Sequence, residues 1–295
     1  MPDLGRRRPL SAQYTFSALG THWRIASPNS FDPEIRRQID ERVADFDAAW
    51  SRFRSDSVVS RMAREPGTYE FPPEAAAVMS LYRSVYELTA GRVTPLVGAA
   101  LEHLGYDAEC TLQRRPGIRA TPSWDDALTV TGSSITTTAP IVLDIGAAGK
   151  GMLVDLVAEL IDPDHDGRVL VDASGDLLHR GAVPCRVGLE HPLDPTMVIG
   201  VAQLRDASLC SSAVNRRRWG ADLHHVVDPF TGEPVRGTQA TWVVAENTAL
   251  ADVLATALFF TEPSVLAHRY SFSYVRMSDD GSVDWSPDFP GELFL

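Results

Sequence analysis

The chain has 295 residues, 44% of them hydrophobic, and is therefore long enough to bury a sizeable core. Its formal net charge of -12 argues against a nucleic-acid partner, because a protein that binds the phosphate backbone needs a basic face. We expect no membrane span, since the sequence has no stretch of about 18 or more consecutive apolar residues.

The three cysteines, Cys110, Cys185 and Cys210, lie far apart and are odd in number. This pattern argues against a disulfide framework or a zinc site and suits a reducing compartment. The arginines at residues 6–8 are not followed by the apolar segment of a signal peptide, and no lipoprotein leader is visible. We therefore expect a cytoplasmic protein with a disordered tail at residues 1–13 and a single domain at residues 14–295.

The hydrophobic pattern predicts the secondary structure in chain order. A first strand is expected over residues 14–27, interrupted at Gly20 and Thr21, and a first helix over residues 32–53. Further helices are predicted at residues 73–90, 94–103, 150–161 and 248–260, and a loop at residues 105–119. Strands are predicted at residues 127–131, 134–138, 141–145, 169–172, 185–189, 198–204, 225–227 and 241–245. Early helices followed by many strands favour an α+β fold over a regular βαβ repeat.

Small residues dominate residues 143–151, Leu-Asp-Ile-Gly-Ala-Ala-Gly-Lys-Gly, between a predicted strand and a predicted helix. Small side chains let backbone N–H groups approach a phosphate, and a helix N-terminus favours negative charge. The segment is not a P-loop, because its glycines are too close together and Gly151 replaces the Ser or Thr that would hold Mg²⁺. A tight turn with a surface lysine at Lys150 is the alternative interpretation.

Asp252 and Thr256 are four residues apart in a predicted helix and therefore share one face. The surrounding residues are apolar, and a carboxylate in such surroundings needs a partner. Oxygen ligands favour Mg²⁺ or Ca²⁺ over zinc. The alternative is that Asp252 lies near a helix N-terminus and stabilises the helix dipole.

Residues 224–232, His-His-Val-Val-Asp-Pro-Phe-Thr-Gly, predict a strand that ends in a turn. The two histidines could supply a general base or hydrogen bonds to a ligand, or the segment could be purely structural. Two arginine-rich stretches, at residues 51–57 and 216–218, could bind phosphate or stack on a heterocycle, although exposed surface positions are the usual explanation for such stretches.

Seven segments in the same order resemble the FAD:protein FMN transferase family, the ApbE-like flavin transferases. They are residues 18–21, 51–57, 91–98, 143–155, 173–176, 224–232 and 251–256, and the resemblance spans nearly the whole chain. It implies a single ApbE-like α+β domain with antiparallel or mixed sheets and packed helices, similar to a T-fold.

The resemblance also implies a reaction. Members of the family cleave FAD between its phosphates, transfer FMN to a Thr or Ser hydroxyl of an acceptor protein, release AMP and require Mg²⁺. The metal positions carried over by the resemblance are the Ala147 carbonyl, Asp252 and Thr256. The FAD-binding positions carried over are Leu19, Phe53, Arg92, Val93, Thr94, Asp144 and Lys150, with Lys150 directed at the phosphates. Asp144 and His224 are the candidates for deprotonating the acceptor hydroxyl.

The chain departs from the family pattern at a few positions. Thr94 stands where the family often has Asp, Leu19 where it often has Met, and Ser174 in place of the first glycine of a common Gly-Gly pair. Two other functions share the same motifs. One is an FAD pyrophosphatase that releases FMN and AMP, and the other is a non-catalytic FAD-binding protein.

Overall fold

A computed structural model describes residues 10–161, 168–220 and 222–294. Most of the tail expected at residues 1–13 lies outside this range, and the first strand begins at residue 12. Within the described residues, no helix has both the length and the apolar character that a membrane span requires.

Five helices of the described residues form where the sequence predicts them, and three short helices, α2, α5 and α8, are not predicted. They are α1 (Pro33–Trp50), α2 (Val58–Met62), α3 (Ala75–Leu88), α4 (Gly98–His103), α5 (Trp124–Ala127), α6 (Gly149–Glu159), α7 (Thr248–Ala257) and α8 (Pro263–Ala267). A 3-10 turn, Pro95–Val97, precedes α4. Asp32 caps α1 by accepting the Glu34 N–H, and Asn247 caps α7 by accepting the Leu250 N–H.

Eight strands form one antiparallel sheet. They are β1 (Ala12–Ala18), β2 (Thr21–Ser27), β6 (Val169–Asp172), β7 (Asp176–Arg180), β10 (Ala207–Ala213), β15 (Thr238–Ala245), β16 (Ser273–Ser278) and β17 (Val283–Trp285), and they lie side by side in this order. Two smaller sheets have three strands each. One contains β3 (Gly67–Glu70), β4 (Leu128–Thr131) and β5 (Ser134–Thr137), and the other contains β8 (Cys185–His191), β9 (Asp194–Leu204) and β18 (Gly291–Leu293).

Two hydrophobic cores cover the two faces of the large sheet. On one face, Val78, Leu153 and Val253 of the helices pack with Ile25 and Val243 of the strands. On the other face, residues of β8 and β9 pack against the sheet in a cluster that includes Leu189, Leu204, Leu170 and Trp242. The predicted α+β class is therefore confirmed, and each sheet pairing in the described residues is antiparallel.

The prediction of one strand at residues 14–27 is wrong, because β1 and β2 form a hairpin. Leu19 and Gly20 make its two-residue turn with φ values of 49° and 72°. Positive φ at both central residues matches the right-handed twist of the two strands. Gly20 meets this requirement without strain, whereas Leu19 is held there by the hairpin.

The strand predicted at residues 141–145 is also wrong. The segment is extended, but its backbone pairs with helix ends: Ile141 donates to the Met62 carbonyl at the end of α2, and Asp144 donates to the Pro95 carbonyl at the start of the 3-10 turn. It runs in the interior with Leu143 fully buried, so its apolar pattern reflects burial rather than sheet pairing. The strand expected at residues 225–227 is replaced by two short ladders, β11 (Arg218–Trp219) with β12 (Leu223–His224), and β13 (Val227–Asp228) with β14 (Glu233–Pro234).

Candidate functional site

Two adjoining cavities surround the N-terminus of α6. The polar cavity, about 490 Å³, is lined by residues that include Ala147, Asp176, Arg217, Asp252 and Thr256. The aromatic cavity, about 850 Å³, is lined by residues that include Phe16, Phe46, Trp50, Phe53 and Tyr106. Six residues line both cavities, which are therefore neighbours with a common wall: Gly20, Tyr106, Asp144, Gly146, Lys150 and Arg217.

The contact between α6 and α7 brings the two sequence motifs together. The Gly151 N–H donates to Asp252 Oδ2 at 3.0 Å across a separation of 101 residues. A Cβ added at Gly151 would lie 2.9 Å from the Asp252 Cβ and closer still to the Thr248 carbonyl oxygen, so only glycine fits this crossing. The Asp155 carboxylate of α6 accepts the N–H groups of Thr248 and Ala249, each at 2.9 Å, and ties the start of α7 to α6.

The three residues carried over as metal ligands line the same cavity. Ala147 N–H donates to the Tyr82 hydroxyl at 3.1 Å, and this buried tyrosine fixes the peptide next to the Ala147 carbonyl. The Thr256 hydroxyl lies 3.4 Å from the Ser212 hydroxyl. The described residues contain no cluster of three or more His, Cys, Asp or Glu side chains able to hold a metal. A site here would combine few carboxylates with neutral oxygen donors, which suits a hard cation.

The acidic side chains that line the polar cavity favour the binding of a cation. Asp176 is fully buried. Its Oδ1 has no hydrogen-bond partner among the described residues, and its Oδ2 is contacted by the Lys150 ammonium at 3.0 Å. Burial raises the pKa of Asp252 well above its ordinary value, and the nearby Asp176 carboxylate raises it further. Among the described residues, Lys150 forms the one ion pair with these two acids, through Asp176, and Asp252 forms none.

Lys150 is oriented differently from the prediction. Its Nζ lies 3.0 Å from Asp176 Oδ2 and donates to the Ala173 carbonyl at 3.1 Å. The side chain lines both cavities, but its ammonium is held by Asp176 rather than free to bind phosphates. Burial lowers the pKa of Lys150, and Asp176 and Asp252 outweigh this effect, so the pKa is raised and the side chain stays charged.

Asp144 is held in an ion pair. Arg52 Nε donates to its Oδ2 at 2.6 Å, and the Gly146 N–H donates to its Oδ1 at 2.7 Å. Burial alone raises the pKa of this carboxyl, but Arg52 and the Gly146 N–H outweigh burial and hold the pKa below its ordinary value. Both Asp144 oxygens already accept hydrogen bonds, so the geometry supports a positioning role for Asp144 rather than the predicted base.

The two adjacent histidines face different surroundings. His224 is buried, its Nε2 pairs with the Val235 carbonyl at 3.0 Å, and its Nδ1 accepts the Val226 N–H at 3.3 Å. His225 lines the polar cavity, and its Nδ1 has no hydrogen-bond partner among the described residues. The predicted catalytic histidine, His224, therefore lies outside the cavity lining with both ring nitrogens engaged, whereas His225 faces the cavity with a free nitrogen.

The remaining predicted FAD-binding positions are divided between the cavities. Leu19 and Phe53 line the aromatic cavity, and Phe53 lies edge-on to Tyr106 with ring centroids 5.4 Å apart. Arg92, Val93 and Thr94 line the polar cavity. The Thr94 hydroxyl accepts the Leu96 N–H at 3.2 Å and caps the 3-10 turn, so the threonine found at this position has a structural function of its own.

Sequence reasoning missed several side chains that line the site. Tyr82 lies inside a predicted helix, and no spacing rule singles it out. Arg52 and His225 belong to segments that the sequence marked without showing which member faces a cavity. Asp176 and Arg217 belong to segments that the sequence did mark, the turn after β6 and the arginine tract, but the pattern could not show which member faces a cavity.

Comparisons with known proteins agree with this geometry. The family model described as ApbE matches residues 19–270. A protein of Rhodobacter capsulatus named FAD:protein FMN transferase is 28% identical over 264 residues, covering 83% of this chain and 50% of the relative. The Escherichia coli K12 protein of the same name is 25% identical over 272 residues, covering 83% of this chain and 77% of the relative. The chain thus spans about half the length of the first relative and about three quarters of the second.

Solved structures show the same fold. The flavin transferase ApbE from Vibrio cholerae superposes with a TM-score of 0.79 at 22% identity, covering 94% of this chain and 97% of that one. The ApbE protein from Thermotoga maritima gives a TM-score of 0.78 at 22% identity, with 93% and 96% coverage. With the family match over most of its length and the two cavities around α6, this chain belongs to the ApbE family.

Proposed function

We propose that this chain is an FAD:protein FMN transferase, which moves FMN from FAD to a Thr or Ser hydroxyl of an acceptor protein and releases AMP. One observation carries the proposal: Ala147, Asp252 and Thr256 converge on one cavity from segments about a hundred residues apart. The aromatic cavity beside it offers stacking surfaces for a ring system of FAD. The names of the curated relatives support the same reaction.

The residues fit Mg²⁺ as the cofactor. The Asp252 carboxylate, the Thr256 hydroxyl and the Ala147 carbonyl are hard oxygen donors, and Asp252 forms no ion pair with a basic side chain of the described residues. When bound, Mg²⁺ would neutralise charge on the pyrophosphate and act as a Lewis acid. Tyr82 positions the Ala147 peptide, and Gly151 positions Asp252 through its N–H.

The transfer step needs a proton acceptor near the incoming hydroxyl. The hydroxyl oxygen forms a new bond to the FMN phosphorus, the bond from that phosphorus to the bridging oxygen breaks, and AMP leaves with the bridging oxygen. Burial, and then the Arg217 guanidinium, lower the pKa of His225 to about 3, so its ring is neutral and can accept the hydroxyl proton. Anionic phosphates in the cavity would raise this pKa toward the working range.

The domain boundaries and the location belong to the same proposal. We infer that residues 14–295 act as one catalytic domain, supported by cores that join the early helices to the late strands. A cytoplasmic location is supported by the three cysteines, all of which are free thiols.

A single incubation tests the function. The protein is mixed with FAD, MgCl₂ and a candidate acceptor, and the products are analysed by mass spectrometry and chromatography. Transfer predicts an acceptor mass gain of one FMN with an equimolar yield of AMP. Free FMN and AMP without acceptor modification would instead indicate a pyrophosphatase, and intact FAD would indicate a binding protein.

Asp252→Asn is the matched variant for this assay. The substitution keeps the size of the side chain and its hydrogen bond from Gly151, but it removes the charge that would hold the cation. Transfer should fall by orders of magnitude while the melting temperature changes little. Unchanged transfer in the variant would contradict the proposed metal position.

A further inference from the structure

The basic side chains that line the polar cavity differ in their partners. Arg92 pairs with Asp228, Lys150 pairs with Asp176 at 3.0 Å, and Arg216 pairs with Glu190 at 3.1 Å. Arg217 also lines the cavity, and among the described residues it forms no ion pair with a carboxylate. Its guanidinium therefore has hydrogen-bond donors and a full charge to offer a ligand.

Two charged side chains that line the polar cavity form no ion pair with a side chain of opposite charge in the described residues. Asp144 is neutralised by Arg52, whereas Asp252 accepts only a backbone N–H in the described residues. The unpaired side chains are thus one carboxylate and one guanidinium, Asp252 and Arg217. A ligand that brings a divalent cation to the carboxylate and anionic oxygens to the guanidinium satisfies both, and a metal-bound pyrophosphate ester has this composition.

Arg217 also lies between the two cavities, where the central group of a ligand that occupies both cavities would be found. It is one of the six residues that line both cavities, and its guanidinium carbon lies 6.0 Å from the centre of the Tyr106 ring on the same common wall. A dinucleotide that places one ring system in the aromatic cavity and reaches the metal ligands in the polar cavity must pass this wall. Because the pyrophosphate joins the two halves of a dinucleotide, it is the group expected at this wall.

We propose that Arg217 binds the pyrophosphate of FAD at the junction of the two cavities and stabilises the charge that develops on the departing AMP. This inference rests on the proposed function. A guanidinium suits the role because its fork of N–H donors matches two phosphate oxygens at once, which a lysine ammonium cannot do.

Titration of FAD into the protein, followed by flavin fluorescence without acceptor, tests the inference apart from catalysis. Arg217→Gln should raise the Kd of FAD by about 10- to 100-fold, as expected for the loss of a charge-assisted contact. Binding of riboflavin, which has no phosphate, should change less than about twofold by the same reasoning. Arg217→Lys should recover part of the FAD affinity, since it restores the charge without the fork.

Arg218→Gln is the matched control, because it removes the same charge from the next residue of the tract, which is exposed and does not line either cavity. Its Kd for FAD should match that of the wild type. The inference is overturned if Arg217→Gln binds FAD as the wild type does, or if FAD and riboflavin weaken equally, which would mean a role in cavity shape. Wild-type transfer to the acceptor reports separately on the proposed function, so either claim can fail alone.

Discussion

Replacing Gly151 by alanine in α6 has two opposite effects on the free energy of unfolding. Alanine is the better helix former, which by itself would stabilise the protein by about 1 kcal/mol. At this position, however, the added Cβ would lie 2.9 Å from the Asp252 Cβ and closer still to the Thr248 carbonyl oxygen. Backbone cannot turn away as a side chain can, so α6 and α7 must move apart.

The sizes of these effects decide the sign. Overpacking of this kind costs about 1–3 kcal/mol. The shift also stretches the hydrogen bond from Gly151 N–H to the buried Asp252 carboxylate, a charge-assisted contact worth about 1.5–3 kcal/mol. After subtracting the gain in helix propensity, we expect Gly151→Ala to lose about 1.5–5 kcal/mol of unfolding free energy.

Urea unfolding followed by circular dichroism measures this loss as a lower midpoint with an unchanged slope. Gly149→Ala is the control in the same helix, because its Cβ would meet the Ile145 side chain, 2.8 Å from Cδ1, and that side chain can rotate. The control should lose less than about 1 kcal/mol. A Gly151→Ala protein as stable as the wild type, or more so, would refute the argument that this glycine is required by the helix crossing.

Three further substitutions test the site. Arg52→Gln leaves the buried Asp144 carboxylate unpaired and should cost about 3–5 kcal/mol at neutral pH. Burial raises the pKa of Asp144, but Arg52 and the Gly146 N–H hold it below the unfolded value, so this stabilisation is present above about pH 4 and is lost as the pH falls through the folded pKa. Urea midpoints of variant and wild type should converge in acid, and a constant gap would contradict the assignment. Tyr82→Phe leaves the Ala147 N–H without its acceptor, so we expect a loss of about 1–3 kcal/mol and a weaker response of transfer to added Mg²⁺, and an unchanged Mg²⁺ titration would exclude a positioning role. His225→Gln should lower kcat for transfer by about 10²- to 10⁴-fold, whereas His224→Gln should mainly lower the melting temperature, and equal losses of kcat would argue against the choice of His225.

The longer helices could be predicted from the sequence, because they carry their signals locally, whereas β3, β7, β10 and the three last strands of the described residues were not predicted. The start of α1 follows from Asp32 and the proline after it, and the apolar faces of α3, α6 and α7 follow from their spacing. One wrong prediction occurs where the apolar pattern of a segment results from its burial in the tertiary structure and not from pairing in a sheet. Residues 141–145 are largely apolar because they are buried, yet their backbone pairs with no strand in the part of the chain that the structure describes.

The sequence by itself determined which kinds of ligand atoms the site offers and which family the chain resembles. The small residues before α6, the pairing of Asp252 with Thr256 on one helical face and the order of seven segments are all visible without coordinates. These features depend on spacing along one element, and spacing along an element is a property of the chain alone.

Only the tertiary structure decided which charged groups neutralise one another and which remain for a ligand. Lys150 is held by Asp176 and Arg216 by Glu190, and Arg217 is left facing the junction of the cavities. The choice of His225 over its neighbour depends in the same way on what surrounds each ring. The ion-pair partners and the burial of a side chain depend on residues that are distant in the chain. They are therefore set by the packing of α6, α7 and the sheet rather than by any local pattern.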